Sequence, residues 1–441
     1  MTQLPRISRV AIIGAGPGGL VAARALQQEG AFDVVTVFER QSKVGGTWIY
    51  TPESNPLTSV PSTNALEVDP PAAIAPSKPP SNPLYDSLHT NLPTDVMQFR
   101  DFPFPPGSPL FPSHRQVLQY IQSFAEQFNL LPLIRFNTIV VKAEPVGQAW
   151  HVTSTEWQQG STPVTKTEEY DAVVVASGHY IVPYIPYIPG LSENNDTRKI
   201  IHSSEYRRAD AFANQSILVV GNGSSATDIV REASKTAARV YHCIRRETAF
   251  SLALHEKMPP HTSRVAPIER IDKDVIICQD GQRLDDVDTI VFATGYLYSF
   301  PFLPFEGGEL IKDGQKVLNL VQHLFYKRNT TLAFVGLPIR IVPFPLAQAQ
   351  GVLIARYWAG RVPLPPPLPG EDNESNSRDH MVMTTDSQIE YMNGLNAWSE
   401  GWYSEDKTGW NSAHPVTGRV TQRWKERREQ SLKLRTEFLG Y

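Results

Sequence analysis

Two glycine-rich turns restrict the fold of this chain more than any other feature. Each lies between a short β-branched run and an alanine-bearing helical stretch. The first, Gly14-Ala15-Gly16-Pro17-Gly18-Gly19, follows residues 10–13 and leads into a helical pattern over 20–30, then a second apolar run over 34–39. The other, Gly221-Asn222-Gly223-Ser224-Ser225-Ala226, stands between 217–220 and a helical pattern over 226–233, with an apolar run over 240–244 beyond it. A strand–helix–strand unit joins parallel neighbours, so two of them predict an α/β fold built from two Rossmann-like dinucleotide-binding domains. At 441 residues the chain is also too long for one core. Further strands are expected at 138–141, 173–176, 289–293 and 332–335, and a helix at 114–128. Residues 1–175 and 291–441 are expected to form one domain, the latter with a C-terminal helical segment, and 176–290 a second domain inserted into it, with Tyr296 marking the return crossing. The stretch from 52 to 83, dense in Pro, Ser and Asn, reads as a surface excursion.

The residues of each turn select a ligand. Gly14 permits the tight turn, Gly16 lets a diphosphate approach the backbone, and Gly19 allows close packing of helix on strand. The helix N-terminus offers free amides and a partial positive charge. Glu39, at the end of the next strand, can accept hydrogen bonds from ribose hydroxyls but would repel a ribose phosphate, so this site suits FAD or NAD. The second turn is a GxGxxA variant, and Arg245 and Arg246 stand where the first unit has its acid. Guanidinium groups there can grip a 2′-phosphate, which predicts NADPH. Two different dinucleotide sites imply hydride transfer from NADPH to a flavin.

Composition removes several other classes. A formal charge of -4 provides no footprint for nucleic acid or an anionic membrane. Two cysteines, Cys243 and Cys278, are too few for a disulfide framework and do not form the closely spaced pair of a flavin disulfide reductase. No cluster-binding cysteines or basic docking patch support an electron-transfer reductase. Nor is there a catalytic triad, a paired-carboxylate site or a metal-ligand cluster. The apolar region 332–360 is broken by Arg340, Gln348, Gln350 and Arg356. The charged stretch 419–441 reads as a solvated helix. With no signal-peptide pattern after Met1, a cytoplasmic protein is expected.

Taken with five further segments, these residues resemble the flavin-containing monooxygenases. The segments are Gly45-Gly46-Thr47-Trp48, residues 85–99 with Thr90-Asn91, residues 111–115, Ala293-Thr294-Gly295-Tyr296, and Gln348-Ala349-Gln350 with Arg356 downstream. The likeness spans nearly the whole chain, and the Pro-rich stretch and short length look like compact soluble members of fungal type. The family fingerprint FxGxxxHxxxY aligns with His202 and Tyr206, but Asp196 and Arg198 occupy its Phe and Gly positions. The Tyr-Arg that follows, where Trp-Pro would mark it, argues against the Baeyer–Villiger branch. By this resemblance the first turn, Glu39, Arg40, Gly46, Thr47 and Trp48 would hold FAD, and the backbone of Val140 would touch its adenine. Asn91, flanked by Thr90 and Leu92, would sit over the reacting face of the flavin as the catalytic residue. The second turn with Arg245 and Arg246 would hold NADPH. The resemblance implies N- or S-oxygenation of a small soft nucleophile (an amine, thiol or sulfide) by O2 through a flavin C4a-hydroperoxide. The alternatives are a Baeyer–Villiger or N-hydroxylating enzyme, and a flavoprotein that senses NADPH and signals through a partner. A homo-oligomer stays open. Trp48 and Phe99 read equally well as core residues, His202 as a structural histidine at a domain junction, and Asn91 as a turn former.

Overall fold

The computed structural model describes residues 5–57, 59–69, 81–157, 162–191, 198–247, 249–304, 309–371, 377–403 and 410–439. Strands β1 (Arg9–Ile13) and β2 (Val34–Phe38) pair in parallel on either side of helix α1 (Pro17–Glu29). The helix starts at Pro17, ahead of the expected Leu20, because proline suits the first turn, where no backbone donor is needed. It stops at Gly30, which takes a left-handed φ of 65°. β3 (Ile134–Arg135) extends the sheet beyond β2, and β7 (Ala172–Val175) flanks β1 on the other side. With β18 (Leu320–Val321), β19 (Phe325–Tyr326) and β20 (Leu332–Phe334) the sheet has seven strands in the order β18-β19-β20-β7-β1-β2-β3.

A second sheet is parallel throughout, in the order β12-β11-β10-β16-β9. Its strands are β9 (Lys199–His202), β10 (Ser216–Val220), β11 (Arg239–Cys243), β12 (Thr262–Val265) and β16 (Thr289–Phe292), with α5 (Ser224–Ala233) joining β10 to β11. All five lie between β7 and β18 in sequence, so this unit is inserted into the first. β7 and β16 are buried at every position, as strands covered on both faces must be. Where the chain leaves and re-enters the first unit, β8 (Val182–Pro183) pairs antiparallel with β17 (Tyr296–Leu297), which places the expected crossing at Tyr296.

Antiparallel strands β4 (Thr138–Val146), β5 (Ala149–Glu156) and β6 (Val164–Tyr170) form a meander, as do β13 (Ile268–Asp272), β14 (Val275–Cys278) and β15 (Arg283–Leu284). The short helices are α2 (Ala65–Val68), α3 (Thr94–Met97) and α6 (Ala249–Glu256). Helix α4 (His114–Gln127) begins at a Ser113/Gln116 capping box. α7 (Pro343–Trp358) packs on α1, and α8 (Thr385–Ser399) on α7. Phe99 is wholly buried between Phe124 and Phe344, with centroids 4.1 and 4.9 Å away, so the core reading of that residue is the one the structure gives.

Two expectations need correction. Residues 58 and 70–80 of the Pro-rich stretch lie outside the described residues. The remainder is not simply on the surface: Ser62 and Asn82 are buried, and Ser62 exchanges backbone hydrogen bonds with Ile185 at 3.0 and 2.9 Å. Its carbonyls are met by a side chain, since Arg207 donates to the oxygens of Thr51 (2.8 Å), Glu53 (3.2 Å) and Asn82 (3.1 Å). The C-terminal helix α9 (Gln422–Leu439) is not solvated all round either. Ser431 and Arg435 are buried and Trp424 packs on the main core, because the charge at Arg435 is answered by a buried carboxylate.

Candidate active site

The two glycine turns are one device built twice. Gly14 donates to the Phe38 carbonyl (2.8 Å) while Ala176 donates to Ile13 (2.9 Å). Gly221 donates to Cys243 (3.1 Å) while Ala293 donates to Val220 (2.8 Å). Gly14 takes a φ of 106° and Gly221 a φ of 128°. A Cβ on Gly14 would stand 2.6 Å from the Ala176 oxygen, and one on Gly221 would run into the Ala293 oxygen. Gly16 and Gly223 cap α1 and α5 without a side-chain acceptor, so the first amides of both helices are offered outward. That donor set fits a diphosphate at each turn.

Around the first turn the chain forms a cradle that only glycine allows. Gly46 comes so close that a Cβ there would be 2.8 Å from the Gly16 Cα. The approach is fixed by Gly45, which donates to Ala15 (3.1 Å), and by Asn82, whose Nδ2 donates to Gly46 (3.0 Å) and Ile49 (2.9 Å). Thr47 and Trp48 are half-buried on the short turn that follows, Trp48 edge-on to Phe344. Glu39 is 4% exposed and accepts from the amides of Ala15 (2.7 Å) and Gln41 (2.8 Å). Burial holds its carboxyl above the ordinary value, against the pull of those donors. Arg40 is half-buried within electrostatic reach of Glu39 and Asp69. Thr138 donates to the Glu39 carbonyl (2.8 Å), which starts β4 beside this corner, and Val140, two residues on, is buried in one apolar cluster with Ile13 and Phe38.

At the second turn, Arg245 and Arg246 lie exposed just past β11, and Asn222 Nδ2 ties the turn to the Arg246 carbonyl at 2.9 Å. A depression of about 470 Å³ is lined there by Ile244, Arg245, Glu247, Arg264, Val265 and Ala266. Arg264, from the end of β12 and ion-paired with Glu247, is a second cation at this rim that sequence reading missed. Its signal was positional: β12 is the parallel neighbour of β11, so their carboxyl ends share an edge.

Asn91 joins the halves. Its segment is held by Thr90 donating to Pro112 (3.0 Å), His114 donating to Leu88 (3.0 Å) and the Thr90 hydroxyl donating to the Leu92 carbonyl (2.8 Å). Leu92 is buried, whereas the exposed Asn91 side chain donates through Nδ2 to Ser224 Oγ at 3.3 Å, on the first residue of α5. His202 is fully buried, edge-on to Tyr296, and burial pushes its imidazole down to about 4. Of the departures from the family fingerprint, Asp196 lies outside the described residues, and Arg198 donates to the Lys273 carbonyl (3.1 Å). Both cysteines are buried, and burial pushes the Cys243 thiol up to about 12, far from a redox nucleophile. Among the described residues no helix is long and apolar enough to cross a membrane, and no cluster of His, Cys, Asp and Glu could hold a metal ion.

A family model described as flavin-binding monooxygenase-like matches residues 77–257 and 262–396, and one for an NAD(P)-binding Rossmann-like domain matches residues 12–86. The chain is similar to flavin-containing monooxygenase FMO GS-OX-like 4 of Arabidopsis thaliana, 39% identical over 374 residues, covering 82% of this chain and 78% of the relative. It is similar to the solved structure of S-allyl-L-cysteine S-oxygenase from Allium sativum, with a TM-score of 0.77 at 31% identity, covering 97% of this chain and 93% of that one. Tmm from Pelagibacter matches with a TM-score of 0.73 at 23% identity over 97% of this chain and 90% of its own, a likeness of fold alone. The chain therefore belongs to the flavin-binding monooxygenase-like family and is an FAD-containing, NADPH-dependent monooxygenase.

Proposed function

We propose that this enzyme transfers one oxygen atom from O2 to the sulfur of a small thioether, with soft amines as the neighbouring substrate class. The observation that carries the reading is the contact of Asn91 with Ser224. A carboxamide donates and accepts hydrogen bonds but gains and loses no proton near neutrality. A thioether suits such a site, because its nucleophilic lone pair is free without deprotonation and no general base is required. Sulfur is favoured over nitrogen because the 31% identical relative is an S-allyl-L-cysteine S-oxygenase.

FAD, reduced by NADPH, supplies the activation of O2. The chain's own residues bind and orient. In this reading residues 1–175 and 291–441 hold FAD through the first turn, Glu39, Arg40, Gly46, Thr47, Trp48 and Val140. Residues 176–290 hold NADPH through the second turn, with Arg245 and Arg246 at the 2′-phosphate. Asn91, set by Thr90 and Leu92, orients the reacting groups. The reaction consumes NADPH, a proton, O2 and the thioether, and yields NADP+, water and the sulfoxide.

NADPH consumption, O2 uptake and product should be measured together with an S-alkylated cysteine, a tertiary amine and a thiol. The expected result is one sulfoxide per NADPH with the thioether. An N-oxide formed in preference to any sulfoxide would overturn the choice of sulfur, and H2O2 as the only product with every substrate would overturn oxygen transfer.

A further inference from the structure

Helix α9 carries a buried cation that the cofactor assignments do not use. Arg435 is 3% exposed. Its Nε donates to the Thr90 carbonyl (3.2 Å) and its Nη2 to Asp228 Oδ2 (2.8 Å). Asp228, 2% exposed, lies one turn beyond Ser224 in α5 and also accepts from the Tyr85 hydroxyl. Because Asn91 donates to Ser224, these contacts close a ring. It runs from Asn91 to Ser224, along α5 to Asp228, across to Arg435, on to Thr90, and back through one peptide bond. The rest of α9 follows the same segment. Trp424 Nε1 donates to the Val96 carbonyl (3.1 Å), Arg427 pairs with Asp95 (2.7 Å), and Phe438 packs against His89 and Phe111.

A buried ion pair gives little net stability over an apolar pair of the same shape, but it fixes a geometry. The planar guanidinium adds direction, since it can satisfy two acceptors at one set angle. Here those acceptors belong to the two segments whose separation decides where the Asn91 carboxamide stands.

We infer that Arg435 is a positioning residue for oxygen transfer: it holds the Thr90–Asn91 backbone against α5, and coupling of NADPH oxidation to oxygenation depends on it. The inference rests on the role of Asn91 proposed above. No atom of Arg435 needs to touch FAD, NADPH or substrate.

The test compares FAD-loaded parent, Asn91→Ala, Arg435→Met and the double variant Asn91→Ala/Arg435→Met, with activity expressed per bound FAD. Arg435→Met should lower turnover to oxygenated product by about ten- to a hundredfold, the scale of an ångström-sized misplacement. NADPH should then be diverted to H2O2, and the double variant should be no worse than Asn91→Ala alone. Independently of turnover, amide hydrogen exchange in residues 85–97 should quicken in Arg435→Met while β1 and α1 keep the parent's protection. Arg435→Lys keeps a charge beside Asp228 but gives up the second bond of the fork, so intermediate coupling is expected. It carries the test if Arg435→Met does not fold. Normal coupling and unchanged exchange in the Arg435 variant, with Asn91→Ala uncoupled, would overturn the inference, as would additive losses in the double variant. Normal coupling in Asn91→Ala would instead overturn the underlying role of Asn91.

Discussion

Glu39 is under two opposed influences, and their balance predicts how FAD binding depends on pH. In the FAD-free chain burial holds its carboxyl above the ordinary value, while the amides of Gln41 and Ala15 pull it down. Ribose hydroxyls that donate to it favour the charged form, so binding FAD lowers that value and expels a proton. Affinity for FAD should therefore rise as pH climbs through the FAD-free value, and fall as pH drops below it. Titration of the FAD-free protein with FAD between about pH 4 and pH 8 checks the sign, and a flat dissociation constant would contradict it. In Glu39→Gln a neutral carboxamide replaces the carboxylate as acceptor for the ribose hydroxyls, a loss of roughly 1–1.5 kcal/mol, so affinity should drop about tenfold and the slope should vanish. At the other turn, Arg245→Ala/Arg246→Ala should remove most of the NADPH-over-NADH preference, worth about ten- to a hundredfold for a charge-assisted contact. If the ratio of kcat/KM for the two cofactors is kept, Arg264 is the residue to test next.

The strap between β2 and α4 shows what could and could not be read in advance. Both glycine turns, their strands and the inserted second sheet were legible, because a strand-to-helix turn without side chains and an answering charged residue are local patterns. The strap was read as a surface excursion because its prolines exclude regular structure, yet its described ends are anchored in the fold. The anchor is Arg207, whose carbonyl partners Thr51, Glu53 and Asn82 come from a distant part of the chain. Asp228 gave no signal: in the helical pattern it shares the polar side with Ser224, Arg231 and Glu232, and nothing local points to Arg435 as its buried partner. Long-range polar closure of this kind leaves no periodicity to read. It also predicts a phenotype. Arg207→Ala would leave the buried Asn82 carbonyl without this donor, at roughly 1–3 kcal/mol, and would loosen Asn82, which holds Gly46 over the first turn. The variant should lose FAD faster on dilution and be cut sooner by protease within residues 52–83. Parent-like FAD retention would show that the Gly46 cradle stands without the strap.

Three histidines make the stability of the assembled fold fall on acidification, the same direction in which Glu39 weakens FAD binding. His179 is 8% exposed beyond β7, while His202 at the end of β9 and His242 within β11 are fully buried. Burial pushes each imidazole down to about 4; the Arg378 charge adds to this at His179. His242 is placed for the neutral form, with Nε2 at 2.8 Å from the Gly221 carbonyl and Nδ1 at 2.9 Å from His255. In the unfolded chain all three titrate near about 6.5. Their contribution is therefore complete above pH 6.5 or so and is lost as pH falls towards 4, because the unfolded chain takes up protons that the folded one refuses. The full loss is on the order of 3 kcal/mol for each, against a total stability of roughly 5–15 kcal/mol for a folded domain. Glu39 gains on acidification, as do Asp69 and Glu205, whose carboxyls burial also raises, but burial lowers His114, His255 and His323 alongside the three fully lowered imidazoles. The midpoint of thermal unfolding should therefore begin to fall just below about pH 6.5, before ordinary carboxylates titrate. His179 and His202 flank the crossing between the two units, so flavin release should accompany the fall. His202→Asn keeps an acceptor for the Ser204 amide that now bonds His202 Nδ1 (3.1 Å) and has no proton to take up. Its midpoint should decline more gently than the parent's over the same range, and parallel declines would remove His202 from the account.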